Sequence, residues 1–276
     1  MSWPEKDPKW TGAVEFKLWI DQSQTDFGPF HYYTQVTLNS ISPRHGPNEG
    51  HAAIYFYGSN FRDDFKNVEI GCKIGNEIGK GELVDTSTIR CVVEHMELVD
   101  EGQTLPVYVA LNSYSWVAEK PSNGRSLQDG QRGFVPYGIQ SFFPEAGVMS
   151  GFTDVFITGK GFKAEHEYHA KCRFGTDENY SIVDADILDY YRMVCRSPKA
   201  VGSFIDLEDS VSVPFGISLI GDDESTKPYT QDLNRFRFYR QPILAAAEPA
   251  EIDVRRKTEV YVTAYSGYKF QQRKYF

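Results

Sequence analysis

Ile41–Phe61 reads ISPRHGPNEGHAAIYFYGSNF and Phe142–Phe162 reads FFPEAGVMSGFTDVFITGKGF, and the fit between these two stretches decides the fold. A third stretch, Ala247–Tyr268, AEPAEIDVRRKTEVYVTAYSGY, follows the same order of signals. Pro43, Pro144 and Pro249 are equivalent in this register, giving steps of 101 (144 minus 43) and 105 (249 minus 144) residues. Internal repetition at about 100 residues is the size of one β-sandwich domain and far longer than a solenoid repeat.

Working outward from these stretches, the apolar positions alternate with period two, the signature of half-buried strands. The inward residues of the second strand are Ile54 and Phe56 in the first copy, Val155 and Ile157 in the second, and Val260 and Val262 in the third. That strand closes in Gly58–Phe61 and in Gly159–Phe162, where glycine is expected to supply positive φ and the aromatic ring to cap the core. Two cysteine strands follow in each full copy, VEIGCKIG with TIRCVVE and HAKCRFG with RMVCRSP. A later strand recurs as AVEFKLWI, PVYVALN and VPFGISLI, with inward faces Val14/Phe16/Leu18, Val107/Val109/Leu111 and Val213/Phe215/Ile217. Each copy ends in an aromatic strand, FHYY, FVPY or FRFY.

The order of these landmarks gives the expected organisation. Residues 1–35 hold only the C-terminal strands of an incomplete module, 36–137 and 138–240 are full modules, and 241–276 hold the N-terminal strands of a further one. The incomplete ends are complementary, so truncation and completion by another chain both account for them. The aromatic strand of each copy runs within two or three residues into the next first strand, as in FVPYGIQSFFP, which leaves little slack.

A first strand ending in Phe143-Pro144, a strand closing in Gly159-Lys160-Gly161-Phe162, then Cys172-Arg173-Phe174-Gly175 and Cys195-Arg196-Ser197-Pro198: this order resembles the IPT/TIG module. The first copy follows it, with Val92-Val93-Glu94 in place of the Arg-Ser-Pro segment. The resemblance implies an all-β fold of tandem immunoglobulin-like, early-set β-sandwiches. It also implies one of two settings: extracellular receptors and adhesion proteins, or the intracellular modules of Rel-type transcription factors.

Parity places Cys72 on a face with Ile70 and Ile74, and Cys91 with Ile89 and Val93, so both thiols point inward. If the two strands lie in opposing sheets, as the family's fold implies, Cys72 with Cys91 and Cys172 with Cys195 are candidates for a bridge across each sandwich. The alternative is buried reduced thiols acting as small apolar groups. No Cys-x-x-Cys occurs to suggest zinc. His166 and His169 miss the His-Glu-x-x-His spacing and read as part of a polar loop. Asp184, Asp186 and Asp189 lack the glycine and terminal Glu of a calcium loop and read as an exposed turn. Gly75–Gly81 is one residue short of a phosphate loop, and Gly147–Gly151 is not Gly-x-Ser-x-Gly. No catalytic, cofactor or metal site is expected, and the chain reads as a non-enzyme.

The composition, 41% hydrophobic and 14% aromatic with 19 Phe and 17 Tyr, suits pleated, half-buried strands. A net charge of -9 argues against nucleic-acid partners, because phosphate backbones are bound by Lys and Arg. No run of 18 apolar residues exists, so direct membrane insertion is not expected of this segment. The first ten residues lack a signal-peptide apolar stretch, which leaves a cytosolic chain or an export signal upstream of Met1. Protein contacts are expected on loops, and the polar loop Trp116–Gly133, with Tyr114 and Trp116 as aromatic anchors and Asn123 and Arg125 near its tip, reads either as a contact site or as a variable insertion without function. Those protein partners include, as one option, neighbouring modules of the same array. Asn179-Tyr180-Ser181 is a glycosylation sequon. The leading expectation is a non-catalytic spacer and protein-binding segment of a larger cell-surface or secreted adhesion or receptor protein. The alternatives are an intracellular scaffold, ciliary or filament-associated in the cytoplasm, and, behind it, a Rel-type DNA-binding module.

Overall fold

The computed structural model describes residues 12–21, 23–63, 69–120, 133–163, 170–176, 179–200, 210–219, 229–230, 234–249, 251 and 261–264. All regular elements among them are strands. They are β1 (Gly12–Ile20), β2 (Ser23–Tyr32), β3 (Thr37–Ser42), β4 (His45–Pro47), β5 (Ala53–Ser59), β6 (Ile70–Ile74), β7 (Glu77–Asp85), β8 (Thr88–Val92), β9 (Val107–Ala110) and β10 (Val117–Ala118). There follow β11 (Val135–Phe143), β12 (Ala146–Val148), β13 (Asp154–Lys160), β14 (Lys171–Thr176), β15 (Asn179–Asp189), β16 (Arg192–Arg196), β17 (Ser210–Ser218), β18 (Asn234–Tyr239), β19 (Leu244–Glu248) and β20 (Tyr261–Ala264).

The first module's ladder runs β9-β6-β7-β8-β5-β3, and the second's runs β17-β14-β15-β16-β13-β11, the same order one repeat later. Each ladder folds into two layers because one strand serves both. Glu77–Gly81 of β7 pairs with β6, while Lys80–Asp85 pairs with β8. Asn179–Asp184 of β15 pairs with β14, while Ala185–Asp189 pairs with β16. Both strands carry a register shift near the end of the second pairing, a bulge of the kind that lets a strand turn a sandwich corner. Pro43, Pro144 and Pro249 each follow a cis peptide bond.

Two separate clusters of buried side chains fill the modules. The first holds Leu38, Ile54, Phe56, Ile89, Val109 and Phe134, and the second Tyr137, Val155, Ile157, Phe174, Phe215 and Phe236. The alternation read from the sequence is the alternation observed: Ile54, Phe56, Val155 and Ile157 are all buried, as are Val107, Val109, Leu111, Phe215 and Ile217. Val260 lies outside the described residues, and so do the side chain of Val262 and Ser266–Tyr268.

Two local expectations change. The positive φ of the strand-closing turn is supplied by a glycine, Gly161, in the second copy as expected, but by Asn60 in the first, and neither Gly58 nor Gly159 supplies it. Those first glycines are required by close approach: a Cβ at Gly58 would stand 1.9 Å from the Thr37 carbonyl oxygen, and one at Gly159 2.1 Å from that of Gly138. Val14 and Phe16 do not face a core, being 38% and 51% exposed. Among the described residues β1 pairs only with β2, and a two-stranded ribbon has no second layer to bury its apolar face.

Candidate functional site

The joint between the two modules is built from one strand. Val135–Tyr137 of β11 pairs in parallel with His45–Pro47 of β4, as Arg237–Tyr239 of β18 pairs with β12 in the next repeat. Gly138–Phe143 of β11 then pairs with β13 of the second module. No spacer residue separates the two roles. Three further contacts cross the joint: the Asn48 amide donates to the Tyr137 carbonyl at 2.8 Å, the Tyr190 hydroxyl to the Val99 carbonyl at 3.1 Å, and Lys160 Nζ to Asp100 Oδ1 at 2.6 Å. That carboxylate holds the Lys160 ammonium above its ordinary range.

His45 lies on the same seam. A Cβ on Gly46 would stand 2.8 Å from the Phe134 ring, so the preceding residue of the strand, His45, points away from the first core. It is nonetheless only 4% exposed. Burial, then the cationic fields of Lys163 and Arg44, push its imidazole down to about 4. Arg44 is itself held by a fork on the buried carboxylate of Glu119, which closes the start of β4 onto the segment after β10.

All four cysteines are bonded, Cys72 to Cys91 and Cys172 to Cys195, with Cα–Cα distances of 6.2 and 6.4 Å. In both modules the bond spans the shared strand. Cys72 sits opposite Gly79 and Cys91 opposite Gly81 on β7, and Cys172 opposite Val183 and Cys195 opposite Ala185 on β15.

The contact residues expected from the sequence separate. Tyr114 is 85% exposed at the tip of a tight turn, where Asn112 Oδ1 accepts the amides of Tyr114 (3.1 Å) and Ser115 (2.7 Å) and Ser113 Oγ donates to the Glu69 carbonyl at 2.6 Å. Trp116 instead lies half-buried over Gly71, whose missing Cβ leaves room for its ring. Asn123 and Arg125 lie outside the described residues, as do His166 and His169. Asp184, Asp186 and Asp189 are on a strand and not a turn, because β15 runs 11 residues to serve both layers. Asp184 pairs with Lys171 and Asp189 with Arg192, and the Arg192 guanidinium holds the Asp189 carboxyl below its usual range. Asn179 opens β15 opposite Thr176.

An aromatic row missed by the sequence reading crosses the outer face of the second module. Phe143, Phe156 and Val194 are register partners on β11, β13 and β16, and the two rings are 64% and 54% exposed. Phe152, 80% exposed with φ 65°, stands at the turn just before β13. Ion pairs flank the row, Arg196 with Asp154 at 2.8 Å and Arg192 with Asp189. In the first module the same register positions are Ser42, Tyr55 and Arg90. The signal was present in the alternation: inward Val155 and Ile157 force Phe156 outward.

Among the described residues no group of three or more His, Cys, Asp or Glu side chains is arranged to hold a metal ion, and no helix is long and apolar enough to cross a membrane.

Comparison with curated proteins finds no relative. Similar solved structures include the full extracellular region of plexin A4, 17% identical over 88% of this chain and 19% of that chain with a TM-score of 0.37. Another is the surface glycan-binding protein PbSGBP-B from Prevotella bryantii, 13% identical over 67% of this chain and 39% of that chain with a TM-score of 0.25. The chain thus spans less than a fifth of the plexin chain. The profile of the IPT/TIG domain matches residues 37–124 and 136–233. Those two stretches make up more than half of the sequence and coincide with the two disulfide-spanned sandwiches, and the chain belongs to the IPT/TIG domain family.

Proposed function

We propose that residues 36–137 and 138–240 are two modules of a stiff, non-catalytic spacer that works outside the cell or on its surface and presents side chains to protein partners. The observation that carries this reading is the continuity of β11. A strand that ends one module's ladder and begins the next's fixes their relative rotation far better than a flexible linker would. The two bonded cysteine pairs support an oxidising compartment. Two surfaces are presented for contact: the Tyr114 turn on the first module and the Phe143–Phe156–Val194 row on the second. Both combine exposed aromatic area with a rigid backbone, the pattern of interface anchors.

Small-angle scattering of the full chain tests the stiffness. The expected curve is that of one conformation, and inserting Gly-Ser-Gly between Tyr137 and Gly138 broadens the distance distribution. An unchanged distribution in the insertion variant, with both disulfides intact, overturns the spacer reading. Non-reducing mass spectrometry of the native protein tests the compartment, and free thiols at all four cysteines would move the chain inside the cell.

A further inference from the structure

Asn179-Tyr180-Ser181 is the one Asn-x-Ser/Thr triplet in the chain, and the structure places it where a modified side chain is tolerated. Asn179 is the first residue of β15 and pairs with Thr176, three positions earlier, at the tip of the β14–β15 hairpin. Along β15 it shares the inward parity of Val183 and Ala185, which pack on the second core. It nevertheless lies two pairs beyond Phe174–Ser181, where the inward buried column of β14 ends. Asn179 is half-exposed there and, with Phe174, Ser181, Val213 and Phe238, lines a recess at this end of the sandwich.

The asparagine amides of this chain differ in their engagement. Asn60 Nδ2 donates to the Gln35 carbonyl at 2.8 Å, and Asn112 makes three hydrogen bonds within its own turn. The Asn179 side chain makes no hydrogen bond among the described residues, so derivatising its nitrogen breaks no interaction described there.

We propose that Asn179 carries an N-linked glycan, placed at the hairpin end of the second module. The donor is an oligosaccharide linked through pyrophosphate to a lipid carrier. A bond forms between Nδ2 and the anomeric carbon, the anomeric carbon–oxygen bond breaks, the lipid pyrophosphate leaves with the electron pair, and one amide proton is released. No oxidant or reductant is needed. The proposal rests on the extracellular reading above.

Peptide mapping of the native protein tests both and separates them. Trypsin releases Phe174–Arg192, which carries Asn179 and no cysteine, so the glycan and the disulfides are read on different peptides. The expected result is Phe174–Arg192 bearing sugar, with peptide-N-glycosidase removing the sugar and leaving aspartate in place of the asparagine, alongside a disulfide-linked Cys172–Cys195 pair. The linked pair with unmodified Asn179 overturns the glycan and leaves the compartment standing. Free thiols with unmodified Asn179 overturn both. In the full chain secreted from a eukaryotic host, Asn179→Gln and Ser181→Ala each lose the mass shift while Ser181→Thr retains it. A shift that persists in Asn179→Gln also overturns the assignment.

Discussion

The Tyr137 carbonyl accepts the Asn48 amide of the first module at 2.8 Å, while the Tyr137 ring is fully buried in the core of the second. One residue thus closes the last ladder of one sandwich and fills the interior of the next. Burial pushes the phenol above its ordinary range, and its hydroxyl is hydrogen-bonded to Ser218 and to the backbone of Leu219. Tyr137→Phe leaves those two buried partners short of a bond and is expected to cost about 1–2 kcal/mol. Tyr137→Ala removes the ring as well and costs about 3–5 kcal/mol. Hydrogen exchange locates the damage: faster exchange in Ser210–Ser218 with Ala53–Ser59 unchanged is the expected pattern, and equal loss in both segments refutes the division of labour.

The disulfides close loops of 19 and 23 residues. Chain-entropy arguments give about 3 kcal/mol for each loop of that size, if native geometry is kept. Cys72→Ala with Cys91→Ala should therefore lower the first module's unfolding free energy by about that amount and leave the second nearly unchanged, since the two cores are separate. Denaturant titration with and without reductant measures it. A loss shared equally by the two modules would show that they unfold as one unit.

His45 predicts an acid-sensitive joint. In the unfolded chain the imidazole takes up a proton near its ordinary 6.5, whereas the folded seam resists until about 4. Between those values the unfolded state binds more protons, so stability present above pH 6.5 is lost as pH falls towards 4 and then levels off for this group. At 1.36 kcal/mol per unit, the window amounts to about 3 kcal/mol. Lys163 and Arg44 both bear on the imidazole with positive charge, and Arg44 is itself paired with Glu119. In His45→Gln the slope of unfolding free energy against pH over this window should flatten, and an unchanged slope would place the acid sensitivity elsewhere. The depressed Asp85 and Asp189 carboxyls titrate below their ordinary 3.8, outside it.

Much of this architecture was legible because period-two burial leaves a strong trace. Ile54/Phe56 and Val155/Ile157 announce the same strand twice, and the cysteine strands fall at fixed places after them. Three things left no such trace. The shared strand β15 looked like a turn because its aspartates dominate the reading, yet the alternating Val183, Ala185 and Ile187 between them face the core. The half-buried seat of Trp116 leaves no local trace, because Gly71, 45 residues earlier (116 minus 71), offers its bare backbone to the ring only once the module is folded. The Arg44–Glu119 fork joins residues 75 positions apart, a pairing that only the closed sandwich defines.

Phe156 and Ile157 are neighbours with opposite duties, one 54% exposed and the other 1%. A side chain that stands on the outer face gives up little water-exposed area when the chain folds, so Phe156→Ser, alone or with Phe143→Ser, should shift unfolding free energy by no more than about 0.5 kcal/mol. Ile157 is enclosed in the second core, and Ile157→Ala there costs about 2–5 kcal/mol through lost transfer energy and the cavity left behind. The contrast separates a contact surface from a packing role: if the row serves partners, Phe143→Ser with Phe156→Ser abolishes capture of a cross-linked native partner while the thermal midpoint holds. A large fall in the midpoint would mean that the two rings are supporting the sandwich, and the row would then carry no claim as a binding face.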